Sequence, residues 1–394
     1  MDLRLMVLAL GMFALGTDNF VVAGLLPEIA RGFHVGIGAA GQMTTIYAVT
    51  FALGAPTIAA LAGHLPRKPL LLAGLIVFVV ANLGTAIAPT FGIVLATRAL
   101  AGLGAAMFSP TATSAAASIV SPERRGFALS VVIAGMTIST AFGAPVGAII
   151  GGLGDWRWTM VFVAALAAAS GLGVLAFLAD IPMLASVSLA KRLAPLADAK
   201  VGLTFMTTFL FSGGSFTIYT YFSVVFDRTI AGSPILFGVL LVLWGVAGTV
   251  SNLCAGRLID SIGSRRVLIA MLALAFADFV LMPQAGATPW TAIPAILLWG
   301  ACGWGMLVPQ QHRLVGIAPL IAPILLGLNS CATYLGATMA GIVGAAGITL
   351  FGGHNLGYLA AVFVAAALLV SELAARQIVA FNEVTASGES AAAI

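Results

Sequence analysis

Three ionisable side chains stand where an apolar chain has least use for them. They are Asp18 in "GTDNFVVAGLLPEIA" (16–30), Arg98 in "RALAGLGAAMFSP" (98–110) and Asp278 in "AFADFVLMP" (275–283). From Met6 to Leu26, Asp18 is the only ionisable residue. A carboxylate in the middle of a membrane helix costs about 2.5–3.5 kcal/mol on insertion scales, so such residues are functional by default. Asp18 has three readings: a proton carrier, a ligand for a cationic group, or a buried hydrogen-bonding group kept neutral. The physics suits a carrier, because a carboxyl's hold on its proton follows its surroundings. A helix that alternates between water and an apolar setting loads a proton in one and releases it in the other. Arg98 keeps its charge and therefore needs carbonyls, polar side chains or a carboxylate beside it. Asp18 is a candidate direct partner. The pair then either tunes the site or simply packs two helices. Asp278 is a second candidate proton carrier, or an interfacial residue near the outer end of its span.

Other chemistry is not encoded. His34, His64, His312 and His354 are scattered without ligand spacing, and Cys254, Cys302 and Cys331 form neither a disulfide framework nor a metal pattern. The glycines of "GLGAAM" (102–107) follow no strand and read as helix packing, and there is no phosphate-binding loop. We expect no enzyme, no cofactor, no metal and no nucleic-acid partner. A proton gradient is the expected energy source.

The elements that must hold these residues are set by composition. The chain of 394 residues is 61% hydrophobic and 8% charged, against roughly 25% charged in a soluble domain. Lipid must be the solvent for most of it. About 20 apolar residues cross the hydrocarbon core as a helix, and twelve such spans are predicted. They are 5–27, 39–62, 69–87, 91–118, 127–152, 158–179, 201–225, 235–257, 267–283, 290–311, 323–349 and 357–376. With the N-terminus cytoplasmic, inner loops and tails hold thirteen Lys and Arg residues and outer loops only three, namely Arg31, Arg157 and Arg228. That asymmetry places both termini in the cytoplasm.

The two halves repeat. Between spans 2 and 3 lies "ALAGHLPRKPLL" (60–71), and between spans 8 and 9 "GRLIDSIGSRRVLI" (256–269), offset by 197 residues when Leu61 is set on Leu258. "GAAMFSP" (104–110) and "GWGMLVP" (303–309) share Gly, Met and Pro at the same spacing. We expect an all-α integral membrane protein with twelve transmembrane helices in two pseudo-symmetric six-helix bundles. Residues 1–179 form the first bundle, 180–200 a cytoplasmic connector, and 201–394 the second bundle with a cytoplasmic tail. Repeated halves around a central site are the plan of many secondary transporters. In the fifth span Gly143, Gly147 and Gly151 recur every four residues, a smooth stripe for a neighbouring helix. Pro145 should loosen the same helix. The stripe serves gating or plain close packing.

These residues carry a resemblance. The chain is similar to the major facilitator superfamily, in its twelve-helix drug/proton antiporter branch that includes bacterial phenicol and arabinose exporters. "GRLIDSIGSRR" (256–266) fits the superfamily loop pattern G-x-L-x-D-x-x-G-x-R-R through Gly256, Leu258, Asp260, Gly263, Arg265 and Arg266. "RALAGLGAAMFSP" resembles the helix-4 motif and "GAPVGAIIGG" (143–152) the helix-5 antiporter motif. "GLLPEIA" after the first span and "DWRW" (155–158) after the fifth are further marks. Two departures stand out. In the first-half loop the usual acid aligns with Gly63 and the usual glycine with Pro66, leaving only Arg67 and Lys68. In the first span the acid often found just before Phe20 is Asn19, while Asp18 lies about 100° further around the helix.

The resemblance implies a proton-driven exporter of small lipophilic, drug-like molecules, phenicols among them, in the bacterial cytoplasmic (inner) membrane. Asp18 and Arg98 are the candidate proton-coupling residues. Asn19, Phe20, Tyr47, Phe51, Met107, Phe108, Asn329 and Tyr334 are candidate substrate contacts. Phe211, Tyr219, Trp244 and Trp304 could add adaptable apolar surface. Arg67, Lys68, Asp260, Arg265 and Arg266, with the helix-5 glycines and Pro145, are candidate gating elements. Asp260 is expected to cross-link to Arg265, Arg266 or a helix end, stabilising the outward-facing state. An exporter of sugars, nucleosides or another metabolite, and a non-transporting membrane sensor, are the alternatives. A monomer is expected, with substrate, protons and the bilayer as its partners.

Overall fold

The computed structural model describes residues 2–62, 65–121, 124–179 and 187–392, with side chains through residue 379. Gly63, His64 and residues 180–186 of the expected connector lie outside the described residues. Twelve helices are long and apolar enough to cross a membrane: α1 Leu3–Phe33, α2 Ile37–Leu61, α3 Arg67–Ala86, α4 Phe91–Ser118, α5 Arg125–Leu153, α6 Trp156–Phe177, α7 Ala199–Thr220, α8 Pro234–Ile262, α9 Ser264–Ala285, α10 Pro289–Ile317, α11 Pro319–Phe351 and α12 Gly353–Val379. Before α7 the connector forms a short helix, Leu189–Leu193, and a 3-10 turn, Ala194–Ala197.

Local chemistry fixes the ends. Thr90, Asp155, Asp198 and Ser233 each accept a backbone N–H with their side chains at the starts of α4, α6, α7 and α8. Gly263 and Gly352, with φ of 85° and 80°, make the corners α8–α9 and α11–α12, where a side chain would strain the turn. Two ends differ from expectation. "GLLPEIA" and Arg31 belong to α1 rather than to a loop, with Glu28 half-buried and Arg31 exposed near the helix end. Arg31 Nε donates to the Pro27 carbonyl at 3.3 Å, and the helix stops at a left-handed His34. The seventh span ends at Thr220, and the chain continues in short turns over Phe222–Val225 and Asp227–Ile230.

Within the first bundle α1 packs on α5 and α6, α4 on α2 and α3, and α3 on α6; within the second, α7 packs on α11 and α12, α10 on α8 and α9, and α9 on α12. Adding six to each helix number converts nearly every pairing of one half into the other. Exposure follows the same plan. α1 is the most deeply enclosed helix, with 83% of its most apolar window buried, and α7 follows at 67%. Large apolar side chains such as Ile87, Leu253 and Trp290 face outward, as a lipid solvent permits.

The bundles meet along two seams, α2 with α11 and α5 with α8. An even number of spans puts both chain ends on one side, and the seams are tight on the other. There Gly38 lies against Ala345, Gly341 against Thr45, Gly152 against Pro234 and Gly238 against Ile149, each approach too close for an added Cβ to fit freely. Gln42 Nε2 donates to Gly341 O at 3.2 Å, and Tyr219 Oη to Phe20 O at 2.9 Å. Nearer the termini, Gly126 on α5, Gly256 on α8 and Gly327 on α11 meet nothing within 4 Å. The molecule is sealed at the end away from its termini.

α5 carries a π turn over Ser139–Gly143. Pro145 has no N–H for the Ala141 carbonyl, and the Ala144 N–H reaches back to Ser139 instead. The turn is pressed on both sides: Ser139 and Gly143 touch Gly16 and Thr17 of α1, while Thr140 and Ala141 touch Gly245 of α8.

Candidate substrate and proton site

Asp18 lies midway along α1, and Arg98 reaches it from α4. Arg98 Nη1 is 2.7 Å from Asp18 Oδ1 and 2.8 Å from Oδ2, and the two side chains are 1% and 0% exposed. Two opposite charges at that separation in a dry interior attract strongly, which offsets the cost of taking both from water. Gly102, one turn along α4, lets α4 lie close on α2, since a Cβ there would strike the Tyr47 carbonyl at 2.5 Å.

The pair is not fully satisfied. Arg98 Nε and the Tyr47 hydroxyl are buried without a hydrogen-bond partner among the described residues. The guanidinium instead lies over the Tyr47 ring, 4.8 Å from its centroid. Tyr334 of α11 closes the group from the second bundle, with ring centroids 6.5 Å from Tyr47 and 4.0 Å from Phe51. Asp18, Tyr47, Phe51, Arg98 and Tyr334 therefore converge from four helices and both bundles. The arrangement can exchange one buried charge contact for another: a proton on Asp18 would release Arg98.

The remaining candidates divide. Asn19 is buried beside Asp18, and its side chain makes no hydrogen bond among the described residues. Phe20 points away from the ion pair into an aromatic group of the second bundle, 5.3 Å from Tyr219, 6.0 Å from Trp244 and 6.1 Å from Trp304. Asn329 Oδ1 accepts from Thr208 Oγ1 at 2.8 Å, and Gln310 Nε2 donates to the same hydroxyl at 3.0 Å. Phe108 is a correction: its ring is fully buried against Gly11 and Ser170 in the first-bundle core and does not line the space between the bundles. Met107 is half-buried, with its Cβ against Gly74 of α3. Asp278 is buried in α9, 4% exposed, and its Oδ2 has no partner.

The glycine stripe packs inside the first bundle. Gly143, Gly147 and Gly151 seat α5 on Thr17, Val21 and Leu25 of α1. The basic loop residues hold helix ends. Arg67 Nη1 donates to Ser118 Oγ at 3.3 Å, and Lys68 Nζ donates to Leu175 O and Leu178 O at 3.1 and 2.6 Å, where a helix C-terminus attracts a cation. In the second half Arg265 pairs with Glu372 of α12, not with Asp260. Asp260 is exposed, and neither it nor Arg266 has a side-chain partner among the described residues. A latch on this side is expected only when these ends close, and here the opposite ends are closed.

Sequence reasoning passed over Gln310 and Thr208. Both are polar residues inside predicted spans, which was the available signal. Their value lies in meeting across α7, α10 and α11.

A family model described as Major Facilitator Superfamily matches residues 8–319. The inner membrane transport protein YdhP of Escherichia coli (strain K12) is 30% identical over 377 residues, covering 95% of this chain and 96% of that protein. A chloramphenicol resistance protein of Streptomyces lividans is 33% identical over 264 residues, 66% of this chain and 67% of that protein. Among solved structures, the nucleoside transporter NupG superposes with a TM-score of 0.74 at 13% identity, covering 95% of this chain and 100% of that one, which shows shared fold. The chain belongs to the Major Facilitator Superfamily: it is a multi-pass membrane transporter of a small-molecule substrate, and not an enzyme.

Proposed function

We propose that the chain is a proton-coupled antiporter that exports small lipophilic, drug-sized molecules, phenicols among them, from the cytoplasm of a bacterium by alternating access. What supports proton coupling is the Asp18–Arg98 pair, a titratable contact with no exposure at mid-membrane that shares its helix segment with the bundle interface. Protonation of Asp18 removes one charge and leaves Arg98 to its other neighbours. Ser139 and Gly143 touch Gly16 and Thr17, and Phe20 enters the second bundle, so a shift of α1 at Asp18 bears on the α5–α8 seam and on the second bundle together. Thirteen of the Lys and Arg residues lie toward the chain ends and three toward the sealed end, which supports cytoplasmic termini and makes this conformation inward-facing.

In this cycle substrate enters from the cytoplasm and leaves outside, where a proton neutralises Asp18 and favours return. The site's mixture of rings and few polar groups suits a neutral or weakly polar ligand, and the likeness to a chloramphenicol resistance protein supports phenicols as first substrates. The test is uptake of radiolabelled chloramphenicol by energised inverted membrane vesicles. Accumulation against a gradient that collapses with a protonophore is the expected result. Uptake that only equilibrates, or that ignores the protonophore, would overturn proton coupling.

A further inference from the structure

We propose that the rings of Tyr219, Trp244 and Trp304, backed by Trp299, form a binding cup for a flat, neutral aromatic compound bearing a hydrogen-bond acceptor, and that Phe20 is a built-in occupant of that cup. The inference rests on the alternating-access reading above and names the chemistry of one subsite within it.

Four rings of the second bundle gather at one place. Trp244 lies 4.8 Å from Tyr219, 5.4 Å from Trp299 and 6.0 Å from Trp304, centroid to centroid. Such offset and edge contacts are the geometry aromatic groups favour. Phe20 is the one ring in the group supplied by the first bundle. It is 4% exposed, and its own carbonyl accepts from Tyr219 Oη at 2.9 Å.

The indole N–H groups distinguish a packed core from a receptive one. Trp299 Nε1 donates to Ser215 Oγ at 2.8 Å, the provision expected for a buried indole. Trp244 Nε1 is also buried and has no acceptor among the described residues. A buried donor left unmade is costly and calls for an explanation. Phe20 cannot supply one, having no acceptor on its ring. A ligand with a nitro, carbonyl or ether oxygen on an aromatic ring can take the place of Phe20 and satisfy the indole as well. Apolar area alone would accept any lipophile, and the unpaired N–H selects among them.

The position of Phe20 gives the cup its timing. It lies two residues beyond Asp18 on the same helix, and the α5–α8 seam bears on that helix through Ser139 and Gly143. When the bundles part at the end away from the termini, Phe20 leaves with the first bundle and the cup on the second is vacated. Substrate and Phe20 therefore compete for the same rings, and each favours a different state of the carrier.

Equilibrium binding of radiolabelled chloramphenicol to the purified full-length protein in nanodiscs, without any gradient, tests this. Trp244→Phe keeps a ring and removes the donor, and binding should weaken about tenfold, the scale of one hydrogen bond. Phe20→Ala removes the competitor, and binding should tighten several-fold. Phe20→Leu should move the same way if the alanine variant fails to fold. Trp290→Phe, at an exposed position, should bind as wild type does. Unchanged binding in Trp244→Phe, or weakened binding in both Phe20 variants, would overturn the inference. So would a wild type that transports other compounds uphill but binds no neutral nitroaromatic. Binding with the predicted variant pattern but no uphill flux would support the cup and overturn proton-coupled export instead.

Discussion

At the centre of the first bundle α1 and α4 meet through two full charges, Asp18 and Arg98, 2.7 Å apart. Adding the repeat offset of 197 to Asp18 gives Ser215 on α7, and Ser215 meets Trp299 on α10 through one neutral hydrogen bond of 2.8 Å. The same pair of helix crossings is thus built twice, once with an ion pair and once with a hydroxyl and an indole. A proton transforms the first contact and leaves the second untouched. Under the proposed function, coupling belongs to the first bundle and ring recognition to the second. The two meet where α1 passes from Asp18 to Phe20.

The comparison breaks most visibly if one charge is removed. Arg98→Ala should cost about 3–5 kcal/mol by leaving Asp18 buried without its partner, read as a large fall in thermal midpoint in nanodiscs. Replacing both residues together, with Asp18→Asn and Arg98→Met, should recover much of that stability while uphill transport stays absent. A double variant no more stable than the single would show that the two side chains do not act as a unit.

Gly102→Val tests the crossing that delivers Arg98. The added side chain meets the Tyr47 carbonyl and should cost about 1–3 kcal/mol through overpacking, with loss of transport alongside loss of stability. Ser215→Ala probes the neutral counterpart. The Trp299 indole then lacks its acceptor, a cost of about 1–3 kcal/mol, but the number of protons moved per substrate should not change. A changed stoichiometry in that variant would end the division of labour between bundles. The smallest effect is expected for Arg265→Ala. Its pair with Glu372 is solvent-exposed, and a pair of that kind contributes about 0–1 kcal/mol, so thermal midpoint and transport should hardly move.

How far the sequence could be read follows from the solvent. The spans were legible because lipid demands long uninterrupted apolar helices, and the fourth, 91–118, coincides with α4. Span ends were less so. Glu28 and Arg31 look like loop residues, yet they ride on the last turns of α1. Asp18 and Arg98 were legible as expensive residues, but their contact depends on how α1 crosses α4. The rotation of each helix was hidden most deeply. A soluble helix shows its inner face by polarity, whereas here lipid and core are both apolar. That is why Phe108, buried in the first-bundle core, read much like Phe51, which meets the second bundle. Gln310 was overlooked because its meaning comes from Thr208 and Asn329, about a hundred and about twenty residues away in the chain.

The central claim is that the Asp18–Arg98 contact couples protons to substrate. Its most direct test is substrate-induced proton movement in energised inverted vesicles, comparing wild type with Asp18→Asn at matched levels of folded protein. Chloramphenicol should release protons from the wild-type vesicle lumen and produce no signal in Asp18→Asn, while the variant still binds the compound. An undiminished proton signal in Asp18→Asn would contradict the account and send the search for the proton site to Asp278.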